Sequence, residues 1–116
     1  MRLLLEKYAQ VPGDALRRVD PDHLNLGMRF SSISPREMAG CEYYAVLSFN
    51  RYAPDATEAL EMASAICNMP MLIGEWHIGG GDKGLLSYGL LSSPSQEERG
   101  KACAYYMEGA IHNRSA

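Results

Sequence analysis

The sequence predicts an α/β fold of about three parallel βα units. Three observations carry that expectation. Short, mostly apolar runs recur at 23–30 (HLNLGMRF), 44–50 (YAVLSFN) and 71–78 (MLIGEWHI), each bounded by turn residues. Runs of this kind suit strands covered on both faces, as in a parallel sheet. Each run is followed by a helix-start signal: Ser34-Pro35-Arg36-Glu37, Asp55-Ala56-Thr57-Glu58 and Ser93-Pro94-Ser95-Gln96. Strands that alternate with helices pair in parallel through crossover connections.

Taken in order, the chain opens with a helical pattern, broken near Val11-Pro12-Gly13. The first strand ends on Arg29-Phe30. In the signal after it, Ser34 can accept an N–H of the first turn, Pro35 suits the first helical position, and Glu37 can reach back. The second strand ends on Asn50-Arg51-Tyr52. The helix after it has Ala59, Leu60, Ala63, Ile66 and Cys67 on one face, with Glu58 and Glu61 opposite. The third strand ends on Glu75-Trp76-His77, and GGGDKGLLSYGLLSSP (79–94) follows. That loop is long enough to read as a binding loop. A last helix gathers Ala102, Tyr105, Tyr106, Gly109 and Ala110 on one side. The expected order is αβαβαβα. A closed βα barrel needs eight units, so the chain reads as part of a larger fold or as a subunit of an assembly.

Composition sets broad bounds. The 116 residues are 47% hydrophobic and 22% charged, with net charge -3, which fits a single soluble domain over 1–116. Slight acidity points away from nucleic acid and anionic membrane as partners. The opening MRLLLEKYAQ is too short in apolar residues for a signal segment, and no run is long enough to span a membrane. The chain itself is therefore expected to be soluble or cytoplasmic; the localisation of any longer parent is not legible. Cys41, Cys67 and Cys103 stand far apart in an odd number, which argues for free, half-buried thiols and against metal spacing or a disulfide framework.

Active sites in α/β sheets and βα barrels lie at the carboxyl ends of the strands. Here those ends carry Arg29, then Asn50 and Tyr52, then Glu75, Trp76 and His77. A carboxylate after an apolar run must be paired or hydrogen-bonded if it is buried. Glu75 therefore reads in one of two ways. It forms a structural ion pair, for instance with Arg29, or sits at a solvated strand end. Alternatively it is a catalytic carboxylate held by donors from Asn50, Tyr52 or Arg29, which favour the ionised form that a nucleophile requires. Trp76 suits the core as well as it suits a flat platform for a sugar ring. His77 suits a second layer of support as well as a hydroxyl contact. The glycines at 79–81 are turn chemistry: GGGDKG lacks phosphate-loop spacing. No nucleophile elbow is present, and neither a metal nor a cofactor is expected.

DHLNLGMRF, VLSFNRY and PMLIGEWHIGGGDKGLLSYGLL…QEERGKACAYYMEGAI resemble the later barrel strands of clan-A glycoside hydrolases. The β-agarase-like and β-galactosidase-like members are the nearest in pattern. The likeness runs from about residue 5 to the C-terminus. It implies a partial (β/α)8 TIM barrel whose three strands are the fifth to seventh. It implies Glu75 as catalytic nucleophile, oriented by a hydrogen bond from Tyr52. Arg29, Asn50, Trp76 and His77, with Asp82 from the loop, would line the sugar subsites. The pattern departs at one place. Retaining hydrolysis needs a second carboxyl about 5–5.5 Å from the first. The family supplies it from an Asn-Glu pair, and this sequence has no Asn-Glu dipeptide. Asp82 or Asp55 is the available stand-in.

Two functions follow from different classes. One is a fragment of a retaining glycoside hydrolase acting on a polysaccharide or galactoside, inactive by itself. The other is a non-catalytic partial barrel that binds sugar or assembles with a partner, either a second copy or a complementing barrel half. A flavodoxin-like domain fits less well, because no phosphate-binding first loop is visible.

Overall fold

The computed structural model describes residues 1–84 and 86–113. Helix α1 (Arg2–Val19) runs unbroken through Pro12, so the expected break does not occur. Proline removes one mid-helix amide donor, but tertiary packing outweighs that loss. Ala9 and Gly13, one turn apart, are buried. Gly13 lies so close to Tyr43 that a Cβ would stand 2.9 Å from its carbonyl oxygen. The other side of α1 leaves Leu3, Leu4, Tyr8 and Val11 exposed.

Strands β1 (Arg29–Phe30), β2 (Leu47–Asn50) and β3 (Met71–Glu75) form one parallel sheet in the order β1-β2-β3. Each is shorter than its apolar run. The run at 23–30 is interrupted by a turn, where Asn25 Oδ1 accepts from Gly27 N at 2.9 Å and Gly27 takes φ 60. The crossover from β1 to β2 contains no α-helix, which corrects the alternating order. Half of its capping box forms: Ser34 Oγ accepts from Glu37 N at 3.2 Å, while the Glu37 carboxylate takes the Ser34 hydroxyl, at 2.8 Å, and the Ser32 hydroxyl in place of a backbone N–H. Gly40, at φ 89, then ends the turn, and a 3-10 turn (Cys41–Tyr43) follows. Helix α2 (Thr57–Ile66) is capped by Asp55, whose Oδ1 accepts from Thr57 N at 2.7 Å.

Loop 79–94 closes partly on itself. Strands β4 (Gly79–Gly80) and β5 (Ser92–Ser93) pair in parallel, with a 3-10 turn at Gly81–Lys83 between them. Helix α3 (Gln96–His112) is capped by Ser95, which accepts from Glu98 N at 3.2 Å. The cap thus stands two residues after the expected Ser93, because Ser93 belongs to β5.

The core lies on one side of the main sheet. Leu47, Phe49 and Met71 meet Leu60 of α2, Tyr106 of α3 and Met38 of the crossover. The other face is open, against the expectation of cover on both: Leu72 is 43% exposed. The accessible surface of 7642 Å² exceeds the roughly 6,300 Å² usual for a folded chain of 12.8 kDa.

The cysteines also differ from expectation. Cys41 opens the 3-10 turn and Cys67 follows α2; both are buried in the core and joined as a disulfide, Cα atoms 7.2 Å apart. Cys103 is free and half-buried. The fold brings together two residues 26 apart, which a count of cysteines does not reveal.

Tyr106 anchors α3. Its ring is buried and its hydroxyl donates to the Arg51 carbonyl at 3.1 Å. Burial pushes the phenol up to about 12. Below pH ~10 the phenol is neutral in both folded and unfolded chains; from there to about 12 only the unfolded chain ionises. The phenol's contribution to stability is therefore complete below about pH 10 and is lost as pH rises through about 12. In urea unfolding, stability should fall more steeply between those limits in the native chain than in Tyr106→Phe. Equal slopes would refute this.

Candidate active site

Pleat alternation places Phe30 and Phe49 toward the core, so Arg29, Ser48 and Asn50 belong to the open face. Strict alternation along β3 would send Glu75 with Met71 and Ile73 toward the helices. It does not, because the register shifts: Phe49 pairs with Ile73, but Asn50 pairs with Glu75. Gly74 is the extra residue of a β-bulge, a device that re-aims a side chain. A Cβ at Gly74 would meet Arg29 Cδ and Ser48 Oγ, each at 2.9 Å. Glycine is needed there to let Arg29 cross. Arg29 Nη2 then stands 2.7 Å from Glu75 Oε2. Filling that space with Gly74→Ala should destabilise the chain by about 1–3 kcal/mol and push Arg29 off Glu75. An unchanged melting temperature would argue against the crossing.

Arg29, Asn50 and Glu75 are thus brought together at the carboxyl edge of the sheet. The ion pair is half exposed, 53% and 42%, so its own contribution to stability is small, about 1 kcal/mol or less. The Glu75 carbonyl accepts from Arg51 N at 3.0 Å, which ties the strand ends together. Asn50 Oδ1 is buried without a hydrogen-bond partner.

The remaining residues singled out from the sequence sit differently. Tyr52 forms no hydrogen bond with Glu75; its ring meets His77 edge-on, centroids 5.1 Å apart. Trp76 turns to the core and stacks on Tyr106 at 4.5 Å and 12°, so one face of the expected sugar platform is already covered. His77 Nε2 accepts from Leu90 N at 3.0 Å. Asp82 Oδ1 accepts from Gln96 N at 3.1 Å, and its other oxygen lies 3.7 Å from Lys83 Nζ. Asp82 therefore fastens the loop to the start of α3. Asp55 caps α2; that bond to Thr57 holds its carboxyl below the usual range, and Tyr105 donates to it as well. A group held ionised is poorly suited to donate a proton.

Ser48, Gly74 and Gly89 shape this edge and were not singled out. An isolated glycine inside a strand run signals a bulge or a close approach, and Gly74 carried that signal. A groove of about 500 Å³ between α2 and α3, lined by Asp55, Thr57, Glu61, Tyr105 and Glu108 among others, is separate from the Glu75 set. Among the described residues, no His, Cys, Asp or Glu group is arranged to hold a metal ion.

No family profile matches the chain. Two curated proteins do. The chain is 33% identical over 117 residues to beta-agarase B of Vibrio sp. (strain JT0107), covering 97% of itself and 12% of that protein. It is 30% identical over 116 residues to beta-agarase A of the same organism, covering 91% of itself and 12% of that protein. Among solved structures, the agarase AgWH50C superposes with a TM-score of 0.89 at 31% identity, over 98% of this chain and 17% of that one. An exo-beta-agarase superposes equally well, TM-score 0.89 at 31% identity, over 98% of this chain and 16% of that one. The chain thus spans about an eighth of the length of the curated relatives. It is an α/β segment homologous to 12–17% of the β-agarases, which are glycoside hydrolases.

Proposed function

We propose that this chain carries the nucleophile-bearing part of a retaining β-agarase-type glycoside hydrolase, a clan-A partial barrel with strands five to seven. The observation that carries the reading is the bulge at Gly74, which turns Glu75 onto the open sheet face beside Arg29 and Asn50. In this role Glu75 attacks the anomeric carbon and Arg29 holds its charge and orientation. Asn50 stands beside Glu75 as its partner across the strands. Tyr52, His77, the exposed part of Trp76 and Asp82 border the subsites. The substrate class, a polysaccharide or galactoside, is the one that the resemblance to β-agarases implies.

A second reading, a segment that binds sugar or completes a partner without catalysis, is favoured by the carboxylates. Asp55 and Asp82 are both engaged at helix starts, so neither is free to act as the acid/base. Aryl glycosides test both readings, since an activated leaving group needs little protonation. The chain alone should turn over an aryl β-galactoside barely or not at all. With a covalent glycosidase trap such as a 2-deoxy-2-fluoro-galactosyl fluoride, label should appear on Glu75 and be absent from Glu75→Gln. Unlabelled native chain that still binds agar oligosaccharides would decide for the second reading.

A further inference from the structure

His77 stands just beyond the carboxyl end of β3, two residues after Glu75, and its ring is gripped from two sides. Tyr52 meets it edge-on from the end of β2, centroids 5.1 Å apart. The loop meets it from the other side. Leu90 N donates to His77 Nε2 at 3.0 Å. Gly89 takes φ 76 and lies so close that a Cβ would overlap the imidazole. The attachment continues along the backbone, with Gly79 N donating to Leu91 O at 2.8 Å and β4 pairing with β5. The side chains of this loop contribute little: Leu86, Tyr88 and Leu90 are all exposed. A segment with so little burial depends on its polar attachments for its position.

We infer that His77 is a positioning residue: through Nε2 it pins the 86–91 loop, with its exposed Leu86, Tyr88 and Leu90, against the Glu75 edge. This goes beyond a sugar-contact role for the same ring and stands without it. An Nε2 that accepts a backbone amide requires the neutral ring with its proton on Nδ1. The ring thus supplies the acceptor that fixes Leu90, and Gly89, which has no side chain, lets the loop backbone reach it.

Amide exchange at Leu90 reads this directly, with Leu47 N, bonded to Pro70 O at 2.9 Å in the sheet, as the control for folding. After correction for intrinsic rates, Leu90 in the native chain should be about tenfold more protected than in His77→Phe, one hydrogen bond's worth, while Leu47 stays equally protected in both. His77→Gln, whose amide oxygen can accept, should restore part of that protection. A Leu90 amide that is unprotected in the native chain, or as protected in His77→Phe as in the native chain, overturns the inference.

Discussion

In sedimentation equilibrium the chain is expected to show an apparent mass above 12.8 kDa that rises with concentration through the micromolar range. The cause is the one-sided sheet. β1 and β3 each pair on one side only, so β3 keeps a free edge along Met71–Glu75. Free edges and apolar sheet faces are templates for association. Leu72 on the open face adds apolar surface that no described element covers, and Leu24 and Leu26, ahead of β1, are exposed as well. Burying one such leucine fully is worth about 1.5–3 kcal/mol, and a two-fold contact counts each twice. We propose a second copy as the simplest cover; in a longer parent, flanking barrel segments would serve. Leu72→Lys should weaken association by at least about tenfold, since it replaces apolar area with a charge on both copies. A sharp, concentration-independent mass of one chain would refute the proposal and show that the open face is stable in water.

Reduction of the Cys41–Cys67 bridge is expected to cost about 3.5 kcal/mol. The bridge closes a loop between residues 26 apart, and loop-closure entropy in the unfolded chain gives that figure. Net stabilities of small domains are about 5–15 kcal/mol, so the loss is a large share. It would fall on the join between the β1–β2 crossover and the end of α2. Urea unfolding with and without reductant measures it, with Cys103→Ser as background so that the free thiol does not interfere. The bridge itself is checked by titrating thiols in denaturant: one should react before reduction and three after. Three reactive thiols at the outset would end the argument.

The parallel strands were legible because each is an apolar run with a capping signal behind it. Their order along the sheet follows from short crossovers. What was not legible depended on contacts between distant residues. Pro12 reads as a helix breaker, yet Gly13 against Tyr43 keeps α1 whole. Ser34 caps the turn as predicted, but Gly40 halts it before a helix can grow. The pairing of Cys41 with Cys67 depends on where α2 ends in space. At the site, Arg29, Asn50 and Glu75 were found from their place at strand ends. Trp76 was not separable from a core residue until Tyr106 was seen stacked on it. Asp82 looked like a free loop carboxylate because the amide it accepts from, Gln96, lies 14 residues on.

The extra residue in β3 makes the direction of Glu75 a matter of parity. Counting from Ile73, the pleat would need an odd number of steps to bring the carboxylate to the open side, and the chain supplies two. Gly74 absorbs one without taking a turn of its own. A chain shortened by that single glycine would have a straight strand and still present Glu75 to the open face beside Asn50. A chain that kept its length but lost the bulge would drive the carboxylate into the helices. A one-residue gap at this position in an aligned relative is therefore compatible with the same chemistry, whereas a bulky residue in place of the glycine is not.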